Sequence, residues 1–393
     1  MKLFHLVTTG DSLNLLEGQA AFMRSHGVEV HVISSPGPEL SGFGQFQQVA
    51  THEIKMMRRI SPFRDVVSMV NLLKLFLRER PDIIHTHTPK ASLLGITAGW
   101  LARVPCRIFH IHGLPHGTAT GLSRMLLKCA TQVPCFLATG VVCVSHSVAA
   151  MATADGICEA QKLTVFGQGS INGVDGIGGF CPAKHDRPQR RQLLGLGEGY
   201  LVIGFVGRLA RDKGISELLS AWLTIREEFP NAYLAIAGSA DERDPAPSEA
   251  IARLRADDRV RLLGWRKNTI DVYASLDIIV LPTYREGLPT VILEAAAMLV
   301  PAVASRCVGC VDAVVDGVTG LLVPPGDPVA LADAIRTYLG NPDLRHQHGV
   351  NARARVLTDF RPEDVWEATL RTYQAAVSPP LPSPISARPG VNR

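Results

Sequence analysis

"DIIVLPTYREGLPTVILEAAA" occupies residues 277–297. It opens with a short apolar run of strand character, "DIIVLP", and closes with a helical pattern, "PTVILEAAA". A turn containing Gly287, Leu288 and Pro289 joins them. A strand passing through a short turn into a helix is half of a βαβ unit, the building block of a parallel sheet.

Two carboxylates flank that turn. Glu286 lies before the helix and can reach whatever sits at its tip. Glu294 is more than one turn in and reaches sideways. Pro289 suits the first helical position, where its missing N–H costs nothing. The amides of Thr290 and Val291 are then free to face an anion or a hydroxyl. The plain alternative is a surface helix with one solvated Glu. Against it, Glu294 sits in "VILEAAAMLV", where a carboxylate on an apolar helix needs a partner.

The same alternation runs along the chain. Strand patterns "LFHLV", "VEVHVIS", "DIIHTH", "RIFHIHG", "GVVCVS" and "LTVFGQG" are separated by helical patterns such as "DVVSMVNLLKLFLRER". The stretch 176–199, rich in Gly, Pro and charge, reads as a linker. Alternation then resumes with "LVIGFVG", "AYLAIAG", "VRLLGW", "DIIVLP" and "PAVAS". The expected fold is α/β, with two Rossmann-like, doubly wound parallel-sheet domains facing a central cleft. The first spans residues 1–185 and the second 199–360. A helix over about 362–377 is placed to pack back across the junction, and the Pro-rich tail 378–393 reads as disordered.

A chain of 393 residues, 46% hydrophobic and 19% charged, can bury sizeable cores and is not a disordered polymer. A net charge of +4 is too weak to argue for nucleic acid and is compatible with an anionic substrate or membrane surface. No export signal or membrane-spanning run is legible, which points to the cytoplasm. The eight cysteines mostly lie in apolar runs, and Cys307 and Cys310 lack a second pair to complete a zinc site. No metal and no cofactor are expected.

In open α/β sheets, ligands bind outside the carboxyl ends of the strands. "GFVGRLARDKG", 204–214, follows the first strand of the second domain. Gly207 lets backbone approach a ligand, and Arg208 and Lys213 place two cations at a strand-helix turn, as a diphosphate requires. A solvated turn is the plain alternative. In the first domain, "HTHTPK" (85–90), "HIHG" (110–113) and the Gly10 turn "TTGDS" (8–12) also follow strands. "KMMRRISPFR", 55–64, mixes Lys55, Arg58, Arg59 and Arg64 with Met56, Met57, Ile60 and Phe63 and holds no acid. That mixture suits an anionic lipid surface as well as it suits a solvated loop.

Together, "GRLARDKG", the Glu286–Glu294 pair with its "GLP" and "VVDGVTGLLVPPGD" resemble the retaining family 4 glycosyltransferases of GT-B fold. "SPGPEL", "HTHTPKASLLG", "HIHGLPHGTATG" and "GQGSINGVD" are similar to the bacterial branch acting on polyprenyl-diphosphate-linked glycans. The resemblance implies a UDP-sugar donor, with an N-acetylhexosamine or hexose moved to a lipid-linked glycan at the inner face of the membrane. Arg208 and Lys213 would hold the diphosphate, Glu294 the ribose and Glu286 the transferred sugar. His112 would line the sugar pocket and Gly10 would lie near the phosphates, while Gly207, Gly287, Leu288 and Thr290 would complete the donor site. The chain departs from the pattern at Leu299, where members often carry Gly, and in having a single glycine, Gly10, in the first loop. A nucleotide-sugar 2-epimerase and a non-catalytic sugar-nucleotide-binding paralogue are the rival readings.

Overall fold

The computed structural model describes residues 1–59, 61–241 and 244–377, so the tail 378–393 and Ile60 lie outside the described residues. Two sheets form, each parallel throughout. The first contains β1 (Lys2–Leu6), β2 (Glu29–Ser34), β3 (Ala50–Glu53), β4 (Ile83–Thr86), β5 (Cys106–Ile111), β6 (Gly140–Cys143) and β7 (Leu163–Thr164), in the order β3-β2-β1-β4-β5-β6-β7. The second contains β8 (Leu201–Val206), β9 (Ala232–Ala237), β10 (Val260–Gly264), β11 (Ile278–Leu281), β12 (Ala302–Ser305) and β13 (Gly320–Val323), in the order β10-β9-β8-β11-β12-β13. Central strands such as Ile278–Leu281 are buried along their whole length, because helices cover both faces.

Strand order reverses between β1 and β4 in the first sheet, and between β8 and β11 in the second. These are the topological switch points, where the following loops part and leave a crevice. The "TTGDS" and "HTHTPK" loops flank the first crevice. The "GRLARDK" and "TYREGLP" loops flank the second.

The helix Pro362–Val377 places Leu370 and Tyr373 in the apolar layer against Leu3, Ile83 and Ile108 of the first sheet. Its Trp366 donates to Asn172 Oδ1 at 2.6 Å. The Gly/Pro-rich stretch after residue 176 is pinned rather than free. Buried Arg191, in the helix Arg187–Leu193, donates to Asp277 at 2.7 Å and to the carbonyls of Ser275, Glu198 and Tyr200. Arg353 likewise donates to the carbonyls of Gly176 and Phe180. Loop composition predicts a tether, but two arginines with several carbonyl acceptors each fix its path.

Leu299 resolves the departure noted in the sequence. The helix Thr290–Ala297 still ends with a left-handed residue, Leu299 at φ 64°, and Val300 N–H reaches back to the Ala295 carbonyl at 3.0 Å. A side chain in that conformation costs about 1–2 kcal/mol, and the Leu299 side chain recovers little, being 37% exposed. Leu299→Gly is therefore expected to stabilise the protein by about 1 kcal/mol in urea titration. An unchanged or lower midpoint would show that Leu299 packing outweighs the backbone strain.

Candidate active site

The neighbouring strands β8 and β11 bring the two motif loops of the second domain together. The Asp212 carbonyl accepts from Tyr284 N–H at 2.8 Å and from Thr283 Oγ1 at 3.0 Å. The Asp212 carboxylate pairs with Arg285 at 3.1 Å, and Lys213 pairs with Glu286. Gly214, with φ 68°, permits this approach: a Cβ there would lie 2.0 Å from the Pro282 carbonyl oxygen. Gly207 ends the strand and donates to Ala237 O at 2.9 Å. Arg208 is half-exposed and pairs with Asp241. Lys213 and Glu286 are mostly covered, their side chains 13% and 14% exposed. The sequence treats Lys213 as a free cation, but in the structure its charge is already answered.

Pro289 sits one residue before the helix, which begins at Thr290. Leu288 is buried, so its side chain anchors the turn in the core, and only its backbone can meet a ligand. Glu294 is partly exposed on the helix, and its partner is Tyr273, whose hydroxyl donates to Oε2 at 2.7 Å. Burial pushes the Glu294 carboxyl above the usual carboxylate range, against the lowering effect of that hydrogen bond. Burial also pushes the Tyr273 hydroxyl up. Sequence reasoning requires a partner for Glu294 without naming it; a tyrosine buried in "DVYASLD" is the available signal, since its hydroxyl also needs one.

The two domains meet at Gly287. A Cβ on this residue would lie 2.0 Å from the His112 carbonyl oxygen, so the Glu286–Gly287 turn lies directly against the end of β5. Ser145, after β6, donates to the Gly287 carbonyl at 2.8 Å. Ser147 pairs with Asp312 and accepts from Gly309 N–H at 2.8 Å. Ser145, Ser147 and Asp312 form a cross-domain floor that sequence patterning misses, because small polar residues at strand ends look like ordinary helix caps. Gly10 opens the segment after β1 and packs on Glu39, whose Cβ would lie 2.6 Å from a Cβ at residue 10. An open cavity of about 570 Å³ is lined by Arg211, Asp212, Ser216, Glu217, Asp244 and Tyr284, together with Thr118 of the first domain; Arg208, Lys213, Glu286 and Glu294 are not among its lining residues. That volume is in the range of small-ligand sites.

Five histidines share one face of the first sheet: His5, His85, His87, His110 and His112. Two triads, His5–His85–His87 and His87–His110–His112, bring ring nitrogens within 4.8 Å of one another. The rings of His85 and His110 are stacked at 9°, and those of His110 and His112 at 27°. Within the His5–His85–His87 triad the rings are instead tilted by 33–34° to one another. Burial alone depresses His5 and His112 to about 3. The unfolded chain, with histidines near 6.5, then binds more protons than the folded one between those values. Stability is complete above pH 6.5 and is lost as pH falls toward 3. Each of these two rings removes about 1.4 kcal/mol between pH 7.5 and 5.5. Urea unfolding at the two pH values is expected to differ by roughly 3 kcal/mol from this pair; a flat profile would mean that the rings are solvated.

Sequence and fold comparisons bear on this arrangement. A family model for Glycosyltransferase Family 4 matches residues 15–169, and one for Glycosyl transferases group 1 matches 200–341. The chain is 33% identical over 372 residues to the capsular polysaccharide biosynthesis glycosyltransferase CapM of Staphylococcus aureus, covering 95% of this chain and 96% of the relative. The chain belongs to the family 4 glycosyltransferases. A second relative is the Escherichia coli UDP-Gal:alpha-D-GlcNAc-diphosphoundecaprenol alpha-1,3-galactosyltransferase, 28% identical over 283 residues, with 71% of this chain and 72% of the relative covered. Among solved structures, Anabaena HepE in complex with UDP-glucose superposes with a TM-score of 0.80 at 22% identity, over 95% of this glycosyltransferase and 100% of that chain. At that identity the likeness shows the fold, which is GT-B.

Proposed function

We propose that this glycosyltransferase moves a hexose or N-acetylhexosamine from a UDP-sugar to a lipid-linked glycan, with retention of configuration, in the assembly of a cell-surface polysaccharide. The observation that carries the reading is the covered Lys213–Glu286 pair at the switch-point crevice, directly under the seam between the domains. A donor diphosphate would take Lys213 from Glu286 and release that carboxylate for sugar hydroxyls, so one ligand answers both charges. Glu294, held by Tyr273, would receive the ribose. The relatives' names support the acceptor class, and the UDP-glucose complex of the neighbour supports the donor class.

In the reaction, the bond from the sugar's anomeric carbon to the diphosphate breaks and its electron pair leaves with UDP. The acceptor hydroxyl bonds to that carbon on the same face, and its proton passes to the leaving phosphate oxygen. Lys213 and Arg208 would stabilise the charge that develops on the diphosphate. Side-chain cations would do the work given elsewhere to a metal held by Asp-x-Asp, a motif this sequence lacks. Transfer is therefore expected to survive exhaustive EDTA treatment, and activity abolished by EDTA and restored by Mg²⁺ or Mn²⁺ would overturn the metal-free mechanism.

A lipid-linked acceptor calls for a membrane surface. Among the described residues no helix is long and apolar enough to cross a bilayer. The helices Pro62–Glu79, Pro89–Leu101 and Gly121–Leu137 pack side by side. They leave Phe63, Val66, Trp100, Leu122, Leu126 and Phe136 exposed, interspersed with Arg64, Arg124 and Lys128. Within "KMMRRISPFR", by contrast, Met56 is buried and Arg58 is paired with Asp11, so the basic stretch contributes less than its composition implies. Peripheral docking of this three-helix face on the inner leaflet would combine apolar insertion with roughly 1 kcal/mol per cation. Flotation with anionic vesicles at low salt is expected to carry the protein, and Leu126→Glu with Phe136→Glu to prevent it. Absence of binding by the unaltered protein would remove the membrane from the account.

A further inference from the structure

"SRCVGCVDA", residues 305–313, runs from the end of β12 into the short helix Cys310–Ala313. Its two cysteines take no part in the donor site described above. Val311 N–H donates to the Cys307 carbonyl at 3.2 Å, so one hydrogen-bonded turn carries both thiols. Cys307 is partly exposed, whereas Cys310 is wholly buried. A hydrogen bond with Cys307 and burial push the Cys310 thiol well above its usual range. The two thiols are neighbours with unequal access: a reagent in solution meets Cys307 first, and Cys310 waits behind it.

The residues between them support the active-site turn. The Val308 carbonyl accepts from Glu286 N–H at 3.1 Å. Gly309, in the left-handed region at φ 84°, packs against Glu286 and Gly287. A Cβ there would lie 2.6 Å from the Gly287 carbonyl oxygen and 2.9 Å from Glu286 Cβ. Its N–H donates to Ser147 Oγ of the first domain at 2.8 Å. A disulfide requires Cβ atoms about 3.5–4.5 Å apart and a torsion of about 90° across the sulfurs. Cys310 is held in the core, so the Val308–Gly309 backbone must absorb any adjustment. With contacts on both sides it cannot shift alone, and Glu286 moves with it.

We propose that Cys307 and Cys310 are a reversible oxidation site, a dithiol whose closure to a disulfide draws the turn away from Glu286 and silences sugar transfer. The oxidant is a small-molecule disulfide. The Cys307 thiolate attacks one of its sulfurs, the S–S bond breaks, and the first small thiolate leaves and takes up the Cys307 proton. Cys310 then loses its proton and attacks the Cys307 sulfur of the mixed disulfide. The Cys307–Cys310 bond forms, and the second small thiolate leaves with the Cys310 proton. Two protein thiols are oxidised and one small disulfide is reduced to two thiols. The effect on transfer rests on the transferase reading above, whereas the disulfide and the freed Glu286 amide do not.

The test is to equilibrate the full-length protein in mixtures of oxidised and reduced glutathione, block the remaining thiols and map the disulfides by mass spectrometry. Oxidation is expected to link Cys307 to Cys310. The Glu286 amide, having lost its Val308 acceptor, should exchange with deuterium about tenfold faster or more. The transfer rate should fall about tenfold or more, and excess dithiothreitol should restore both. Cys307→Ser should transfer like the reduced protein and ignore glutathione in both readouts. Cys129→Ser, which removes an exposed thiol elsewhere, should respond as the unaltered protein does. No Cys307–Cys310 bond in the most oxidising mixture, or inhibition that persists in Cys307→Ser, would overturn the switch. So would a bond that leaves unchanged the Glu286 amide or, in a protein active when reduced, the transfer rate. The bond and the faster amide in a protein that transfers no sugar even when reduced would refute the transferase reading and leave the oxidation site and its coupling to Glu286 standing.

Discussion

Lys213→Ala is expected to lower kcat by about 10²–10³, the cost of removing one preorganised donor to developing charge. The lysine is held at the end of the 207–214 loop by a turn that only Gly214 allows, and its ammonium is mostly covered. A covered cation acts at low local dielectric, where its stabilisation of the leaving diphosphate is large. Arg208→Ala is expected to fall in the same range, and Arg208→Lys to recover only part of it because the guanidinium fork is lost. Single-turnover rates at saturating donor isolate the chemical step. Near-normal rates in both alanine variants, with folding intact, would place the diphosphate elsewhere.

The two glutamates are expected to separate. Glu286→Ala removes the carboxylate that occupies Lys213, so bare UDP should bind as well as before or more tightly. The same change should strike kcat by about 10²–10³, because the contact it removes strengthens only as the sugar departs. Glu294→Ala removes a contact to a part of the donor that does not react and leaves the Tyr273 hydroxyl without its acceptor. UDP and UDP-sugar should both weaken, by about 1–3 kcal/mol. Calorimetry with UDP and steady-state kinetics read the two effects independently. UDP binding lost in Glu286→Ala and kept in Glu294→Ala would mean that the donor lies in the opposite sense along this helix.

Much of the architecture is legible because parallel strands buried on both faces leave unbroken apolar runs such as "DIIVLP" and "LVIGFV". Two strands escape that logic. Ala50–Glu53 is a largely exposed edge strand whose last three residues, Thr51, His52 and Glu53, are polar, and Gly320–Val323 is short, with its middle residues only half-buried. Arg208, Lys213 and Glu286 are legible because they follow strands at a switch point, and position alone makes such residues candidates. Their pairing is not legible: Lys213 and Glu286 are far apart in sequence, and neither carries a mark of the other. The same holds for Tyr273 with Glu294, and for Ser145 with Gly287. The spacing of His85 with His87, and of His110 with His112, declares one face of a sheet. Only strand register, His5 opposite His85, turns those positions into one cluster.

The measurement that bears most directly on the central claim is product analysis by NMR after incubation with a UDP-sugar, with and without a polyprenyl-diphosphate-linked glycan. UDP release is expected to depend on the acceptor, and the new glycosidic bond to keep the anomeric configuration of the donor. Donor interconversion without acceptor, or a product of inverted configuration, would contradict it.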